Sequence, residues 1–139
     1  RADAVKKVVE DVCKASELEF LGWRKVPVDN EVLGPLAKAV VPSMWHFVVK
    51  SPETLEESVE SRDAFERTLY LVRRRFEVER QLKGVTWDDG DGEVYFASFS
   101  SRTMVYKGMV QSCVLPEFYL DLKNPIFTTK FVIYHRRFS

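Results

Sequence analysis

The stretch VYFASFSSRTMVYKGM, residues 94–109, decides the predicted fold. Its first six residues are all apolar or small, which is typical of a strand that is buried on both faces rather than on one. The polar residues 100–102 interrupt this run, and residues 103–106 resume a β-branched and aromatic pattern that ends at Lys107-Gly108. We therefore predict two adjacent strands joined by a short polar turn, with the rest of the chain covering the resulting sheet.

The residues before this stretch predict helices and strands in alternation. The i, i+3, i+4, i+7 spacing of apolar residues predicts a first helix whose buried face is formed by Val5, Val8, Val9, Val12 and Cys13. A strand carrying Trp23 is predicted over residues 19–29, a short helix over 33–41 with Pro35 in its first turn, and a second strand over 44–49.

The longest predicted helix runs from Arg62 to Lys83, with Ser61 as its N-cap and Gly84 as its stop. Its buried stripe is predicted to contain Phe65, Leu69, Val72 and Phe76.

Two more elements are predicted near the carboxyl end of the chain. Residues 115–122 indicate a short helix with Pro116 in its first turn, and residues 131–134, FVIY, indicate a further buried strand. A folded domain rarely ends directly after a buried strand, so we expect residues 1–139 to form a single incomplete domain, an internal segment of a longer polypeptide. The alternation of helices and strands predicts an α+β or an α/β fold, and composition and periodicity go no further.

Composition excludes several classes of function. The chain has 139 residues, 45% of them hydrophobic, which is enough for one core. Lysine plus arginine and aspartate plus glutamate both number 21, so no global charge favours nucleic acid or a membrane surface, and we expect neither as a partner. No apolar run approaches the roughly 20 residues that span a bilayer. Cys13 and Cys113 are predicted to be reduced thiols, which favours an intracellular compartment.

For each residue that could act in catalysis, metal binding or phosphate binding, we favour a structural role instead. Cys13 and Cys113 are predicted to be non-catalytic, and His46 to be a satisfied or half-exposed strand histidine rather than a metal ligand. The basic triplet at residues 73–75 is predicted to pair with Glu77 and Glu79 along an exposed helix face rather than to bind phosphate. The loop at residues 86–92 lacks the spacing of a calcium-binding EF-hand, which favours a plain connection. No complete catalytic or metal-binding constellation can be read from the sequence.

Several longer motifs resemble a known family. LGWRKVPVDNEVLG (21–34), DAFERTLYLVRRR (63–75), and FSSRTMVYKGMV followed by EFYLDLKNP and YHRRFS are similar, in order and spacing, to the glutaminase domain of glutamate synthase. YKGMV, LDLKNP and YHRRFS are most similar to the ferredoxin-dependent form found in plants, algae and cyanobacteria. The sequence MWHFVV departs from the family pattern, which more often has a glutamine at or beside the position of His46.

The resemblance implies a class II glutamine amidotransferase with the N-terminal-nucleophile hydrolase fold. This is an α+β fold, a four-layer αββα sandwich of antiparallel sheets with covering helices. In this family an amino-terminal cysteine attacks the glutamine amide with its own α-amino group as base, and an asparagine and a glycine form the oxyanion hole. The released ammonia supplies a synthase domain that makes L-glutamate from 2-oxoglutarate with FMN and an iron-sulfur cluster. The resemblance places the nucleophile, the oxyanion hole and both cofactors outside residues 1–139, so this segment is expected to be inactive alone and to bind no cofactor.

One functional position of the family does fall within the sequence. Arg137 in HRRFS matches the arginine that holds the glutamine α-carboxylate, and Phe138 lies beside it in the same substrate loop. A guanidinium can donate two parallel charge-assisted hydrogen bonds to a carboxylate, which agrees with that role. Arg136 has no such match and is expected to be a surface or ion-pair residue. Lys107-Gly108 is expected to close the central strand, where glycine permits a turn or a close backbone approach. Trp23 and Arg24 are expected to serve packing and positioning.

Two functions from different classes follow. The first is an ammonia-supplying segment of glutamate synthase, with glutamine, the synthase domains of the same polypeptide, and ferredoxin or another electron donor as partners. The expected location is then the plastid stroma or the bacterial cytoplasm. The second is a stand-alone, non-catalytic module that retains the fold and binds an amino acid or a protein through the region of Arg137.

Overall fold

A computed structural model of the chain describes residues 2–51, 58–85 and 94–135. In chain order, the elements are helix α1 (Ala2–Ala15), strand β1 (Glu19–Lys25), a 3-10 turn (Asn30–Val32), helix α2 (Pro35–Ala39), strand β2 (Trp45–Lys50), helix α3 (Val59–Leu82), helix α4 (Leu115–Phe118) and a second 3-10 turn (Leu120–Lys123). Helices and strands are mixed along the chain, as the predicted α+β class requires. Strands β1 and β2 pair in a small antiparallel sheet.

The chain divides into two compact units. Unit 1 comprises residues 1–22 and 47–105, and unit 2 comprises residues 23–46 and 106–139. Each of the two strands contributes residues to both units, because the boundaries fall inside β1 and β2.

The core of unit 1 is apolar and lies where α1 contacts α3. All five residues of the predicted α1 stripe are buried, and Leu18 joins them. From α3 the buried residues are Leu69, Val72 and Phe76, three of the four that the periodicity predicted, while Phe65 is half-buried. The 3.6-residue period thus locates both helix faces correctly, since burial of an apolar stripe is the main source of helix stability in a folded chain.

The two ends of α3 are defined by an N-cap residue and by a glycine that follows the last turn. Ser58 is the N-cap, and its hydroxyl oxygen accepts a hydrogen bond from the Ser61 N–H at 3.1 Å. The prediction of Ser61 as the N-cap is therefore wrong by three residues, because the helix begins one turn earlier, at Val59. At the other end Gly84 has φ +59°, a left-handed conformation that glycine adopts without strain, and this confirms its predicted role as the stop.

The two central strands predicted over residues 94–109 are not present. A strand requires a neighbouring strand to receive its backbone hydrogen bonds, and residues 94–105 instead contact side chains of unit 1. The rings of Phe96 and Phe99 join an aromatic cluster with Phe47 and Phe76, at centroid distances of 4.6 to 5.6 Å. Burial on both faces is also wrong, since Tyr95 is 49% exposed.

The polar interruption at residues 100–102 is tied to α3 rather than forming a hairpin turn. Glu66 on α3 accepts hydrogen bonds from the Ser100 hydroxyl at 2.8 Å and from the Ser101 N–H at 2.7 Å. One residue further on, Arg102 pairs with Asp63 at 2.5 Å. Side chains of the helix thus take the place of the missing strand partner.

Unit 2 is built on the pairing of residues 26–29 with residues 118–120. The Asp29 N–H donates to the Phe118 carbonyl oxygen at 2.9 Å, and the Leu120 N–H donates to that of Pro27 at 3.2 Å. Around this pairing lies a small core whose buried residues are Val26, Phe118 and Tyr119. Pro35 opens α2 as predicted, with Gly34 as N-cap.

The buried strand predicted over residues 131–134 is likewise wrong. These four residues are 69 to 87% exposed and form neither a helix nor a strand, since no strand among the described residues pairs with them. Residues 115–122 form the short α4 followed by a 3-10 turn, where the sequence predicted one helix. Of the helices in the described ranges, none is long and apolar enough to cross a membrane.

Candidate functional site

The predicted glutamine ligands Arg137 and Phe138 lie outside the described residues, as does Arg136. The described chain ends at His135, at the end of the exposed segment 131–135. The loop at residues 86–92, for which calcium was the alternative, also lies outside the described ranges. The roles of these residues therefore stay predictions. The polar side chains that the structure does describe lie in other parts of the chain.

The most connected polar group in unit 2 is Asp121, which is buried with 7% of its surface exposed. It lies in the 3-10 turn after α4, and no pattern in the sequence predicted its role. Arg24 on β1 binds it with both terminal nitrogens, Nη1 to Oδ2 at 2.8 Å and Nη2 to Oδ1 at 2.5 Å. The Tyr106 hydroxyl donates a third hydrogen bond to Oδ2 at 3.0 Å.

His46 on β2 completes this cluster, which we call the Asp121 cluster: Arg24, His46, Tyr106 and Asp121. His46 Nδ1 lies 3.3 Å from Arg24 Nη1. A guanidinium has only donors, so Nδ1 accepts and the ring carries its proton on Nε2. The His46 ring also meets the Tyr106 ring edge-on at a centroid distance of 6.1 Å. The prediction that His46 is a satisfied strand histidine is confirmed.

The charges in the cluster stabilise one another. Hydrogen bonds from Arg24 hold the pKa of the Asp121 carboxyl below its usual value, and the Tyr106 hydrogen bond adds to this while burial opposes it. Burial, followed by the hydrogen bond to Asp121, raises the pKa of Tyr106 to about 12. Burial and then the charge of Arg24 lower the pKa of His46, against a smaller opposing effect of Asp121. At neutral pH the cluster thus contains one cation, one anion and two neutral rings.

This arrangement suits positioning rather than acid–base catalysis. Both oxygens of Asp121 are engaged by donors, and a carboxylate held below its usual pKa is a poor base at neutral pH. The cluster instead joins residues far apart in the sequence, since Arg24 and Asp121 are separated by 97 positions. The prediction that Arg24 positions other groups agrees with this geometry.

Tyr119 extends the network next to the cluster. Its hydroxyl donates to the Lys107 carbonyl oxygen at 2.6 Å and lies 2.9 Å from Met44 Sδ. The Tyr106 ring packs edge-on against Tyr119 at 4.8 Å. Lys107, predicted to close a strand, therefore provides a backbone acceptor to unit 2 instead.

The cysteines differ in their surroundings. Cys13 is fully buried on α1, and burial, with a contribution from Glu10, raises the pKa of its thiol to about 11. A thiol with that pKa is protonated at neutral pH and is a poor nucleophile. Cys113 is exposed, and both cysteines are free, as predicted.

A cleft of about 470 Å³ opens in unit 2. It is lined by Lys25, Val26, Pro27, Val28, Asn30, Val41, Pro42, Ser43 and Met44. Lys25 is the one charged residue among those that line the cleft, and most of the others are apolar. The lining residues therefore include a cation but no pair of groups suited to acid–base catalysis. Within the described ranges, no group of three or more histidine, cysteine, aspartate or glutamate side chains is arranged to hold a metal ion.

The basic triplet of α3 forms ion pairs along the helix. Arg73 pairs with Glu77 at 3.3 Å, Arg75 pairs with Glu79 at 3.0 Å, and Arg74 also contacts Glu77. The predicted pairing is confirmed, and these arginines are compensated by carboxylates one helical turn away.

Comparison with known proteins identifies the family. A family model described as glutamine amidotransferases class-II matches residues 1–139. The chain is 42% identical over 99% of its length to a chloroplastic ferredoxin-dependent glutamate synthase of Oryza sativa subsp. japonica, and 42% identical over 99% to ferredoxin-dependent glutamate synthase 2 of Synechocystis sp.. It is 40% identical over 96% to the ferredoxin-dependent glutamate synthase of Cyanidium caldarium.

In each of these comparisons the chain spans 8% of the length of the curated relative. The family match covers every described element and also the positions of Arg137 and Phe138. The chain therefore belongs to the class-II glutamine amidotransferases.

Proposed function

We propose that this chain is part of the glutamine-hydrolysing domain of a ferredoxin-dependent glutamate synthase. The observation that carries the proposal is the family match over residues 1–139, together with relatives that are 40 to 42% identical over nearly the whole chain and all bear that name. The domain releases ammonia from glutamine, and the complete enzyme uses it in ammonia assimilation to make L-glutamate from 2-oxoglutarate.

The chemistry proposed for the domain is covalent. A cysteine thiolate elsewhere in the polypeptide attacks the side-chain amide carbon of glutamine, ammonia leaves, and water hydrolyses the resulting thioester to glutamate. Cys13 does not suit this step, because it is buried and its pKa is raised to about 11. We assign no catalytic residue to the described part of the chain.

The substrate-binding role is proposed for Arg137, with Phe138 beside it. An arginine fork fixes both the position and the orientation of the glutamine α-carboxylate, and a lysine in its place offers a point charge without the paired geometry. Losing one of two charge-assisted hydrogen bonds corresponds to roughly 10- to 100-fold in affinity.

The test is Arg137→Lys in the full-length polypeptide, with Arg136→Lys as the matched control. We expect the KM for glutamine to rise roughly 10- to 100-fold in the first variant and to stay near that of the wild type in the second. Synthesis of glutamate from added ammonia is expected to be unchanged in both. Equal effects of the two variants, or loss of the ammonia-dependent activity along with the glutamine-dependent one, would contradict the assignment.

The remaining features of the enzyme are proposed for other parts of the polypeptide. They are the oxyanion hole, the FMN and iron-sulfur sites, the contact with ferredoxin, and the other layers of an αββα sandwich. The names of the relatives, which include chloroplastic and cyanobacterial enzymes, support ferredoxin as electron donor and the plastid stroma or the bacterial cytoplasm as location.

We further propose that residues 1–139 are an internal segment of one incomplete domain. The share of 8% that the chain covers in its relatives supports this. An intact mass of the natural polypeptide far above 16.2 kDa is expected, and a mass near that value would contradict the proposal and favour a stand-alone binding module.

A further inference from the structure

We propose that His46 is an acid-sensitive contact that holds Arg24 on Asp121 at neutral pH, and that protonation of His46 loosens the pairing of residues 26–29 with residues 118–120. The inference concerns unit 2 alone and does not depend on the proposed function.

The first step is the hydrogen bond between Arg24 Nη1 and His46 Nδ1, at 3.3 Å. The guanidinium can only donate, so the contact requires a lone pair on Nδ1. A proton taken from solvent onto Nδ1 removes that acceptor. It also places two cations, protonated His46 and Arg24, about one hydrogen-bond length apart, where they repel each other.

The second step is the charge balance of the Asp121 cluster. Arg24 from β1, Asp121 from the turn after α4, and the neutral Tyr106 hydroxyl face one another around His46. With His46 neutral, one cation and one anion compensate each other. With His46 charged, a single buried carboxylate must serve two cations, and the half-exposed Arg24 is the partner able to move into water.

The third step connects Arg24 to the backbone of unit 2. Two residues after Arg24, the Val26 N–H donates to the Met44 carbonyl oxygen at 3.0 Å. Beyond it, residues 27 and 29 pair with residues 120 and 118, on either side of Tyr119 and directly before Asp121. Loss of the Arg24–Asp121 contact therefore removes a polar side-chain link beside the two paired segments and leaves the apolar contacts of Val26, Phe118 and Tyr119 to hold them.

The stability of unit 2 is expected to fall as the pH falls, because the fold favours the neutral form of His46. The pKa of His46 is lowered by burial first and by Arg24 second. The stabilisation from neutral His46 is thus fully present above the ordinary histidine pKa of about 6.5 and is lost as the pH falls below it toward the folded-state value.

The test is hydrogen–deuterium exchange of the full-length polypeptide at pH 7.5 and 5.5, corrected for the intrinsic pH dependence of exchange. The reporters are the amides of Val26, Asp29 and Leu120, each hydrogen-bonded within unit 2. Between the two pH values we expect their exchange to become roughly tenfold faster, the size of one hydrogen bond to a charged group. Amides of α3 in unit 1 are expected to stay unchanged.

Two variants make the assignment specific. His46→Asn places an amide oxygen near the position of Nδ1 and accepts from Arg24 at either pH, so the acid effect is expected to vanish; His46→Gln is a second form of the same test. The chain has only two histidines, and His135→Asn, the matched control, is expected to behave like the wild type. No acid effect in the wild type, an equal effect in His46→Asn, or a parallel rise in α3 would each overturn the proposal.

Discussion

Unit 1 and unit 2 are stabilised internally by different kinds of interaction. Unit 1 buries an apolar face of α1 against α3 and packs Phe76 against Phe96 at a centroid distance of 4.6 Å. Among its described residues, unit 2 has a small core of three buried residues and contains the Asp121 cluster, in which a buried carboxylate receives three hydrogen bonds. Apolar burial is insensitive to pH, whereas an ion pair with an adjacent histidine is not. The comparison predicts that the two units respond differently to mutation and acid.

The largest expected effect comes from emptying the core of unit 1. Phe76→Ala removes a ring that is 1% exposed and is expected to lower the free energy of unfolding by about 3–5 kcal/mol. Denaturant unfolding of the full-length polypeptide, followed by exchange of α3 amides, measures it. The control is Leu71→Ala on the same helix, which is 64% exposed and is expected to cost less than about 1 kcal/mol. Similar losses in both variants would contradict the assigned core.

The closure of unit 1 can also be measured through its thiol. Since Cys13 is buried with its pKa raised to about 11, we expect native Cys13 to react with a thiol reagent at least about 100-fold more slowly than exposed Cys113. Mass spectrometry of the alkylated peptides at pH 7.5 gives both rates in one sample. The difference should disappear in denaturant, and comparable native rates would mean that Cys13 is not buried in the core where α1 contacts α3.

A smaller effect is expected from the polar cluster of unit 2. Asp121→Asn keeps the shape but removes the charge that Arg24 binds, and we expect a local loss of about 1–3 kcal/mol, reduced by the half exposure of Arg24. Exchange of the Asp29 amide reports it, because that amide is bonded to Phe118. Asp63→Asn, which breaks an exposed pair with Arg102, is the control and should change little. Should unit 1 amides respond as strongly as those of unit 2, the separation of the two units would fail.

The smallest effect is expected on the surface of α3. Arg75→Gln breaks an ion pair with Glu79 in which the arginine side chain is 49% exposed. Solvent and salt screen such a pair, so the expected loss is about 0.5 kcal/mol or less. A larger loss in thermal unfolding would mean that Arg75 has a partner beyond its own helix.

The sequence predicted best what depends on neighbouring residues. The α1 stripe, the buried face of α3, Pro35 in the first turn of α2 and Gly84 at the end of α3 all follow from helix period or from local backbone preference. The ion pairs of α3 are also local, since their partners lie three or four residues apart.

What the sequence could not predict depends on distant partners. Residues 94–99 and 131–134 have strand composition, but a strand also needs a partner strand, and within the described residues they have none. Asp121 went unnoticed because its partner Arg24 is 97 positions away. The one available signal was an acidic residue between two leucines in LDL, which is compatible with many surfaces.

The central proposal is that this chain serves glutamine hydrolysis within a larger enzyme. The most direct measurement supplies the full-length polypeptide with glutamine labelled with ¹⁵N in the side-chain amide, together with 2-oxoglutarate and reduced ferredoxin, and locates the label by mass spectrometry. We expect ¹⁵N in the α-amino group of newly formed glutamate. If glutamine remains intact, or is consumed without its amide nitrogen appearing in ammonia or glutamate, the account is wrong.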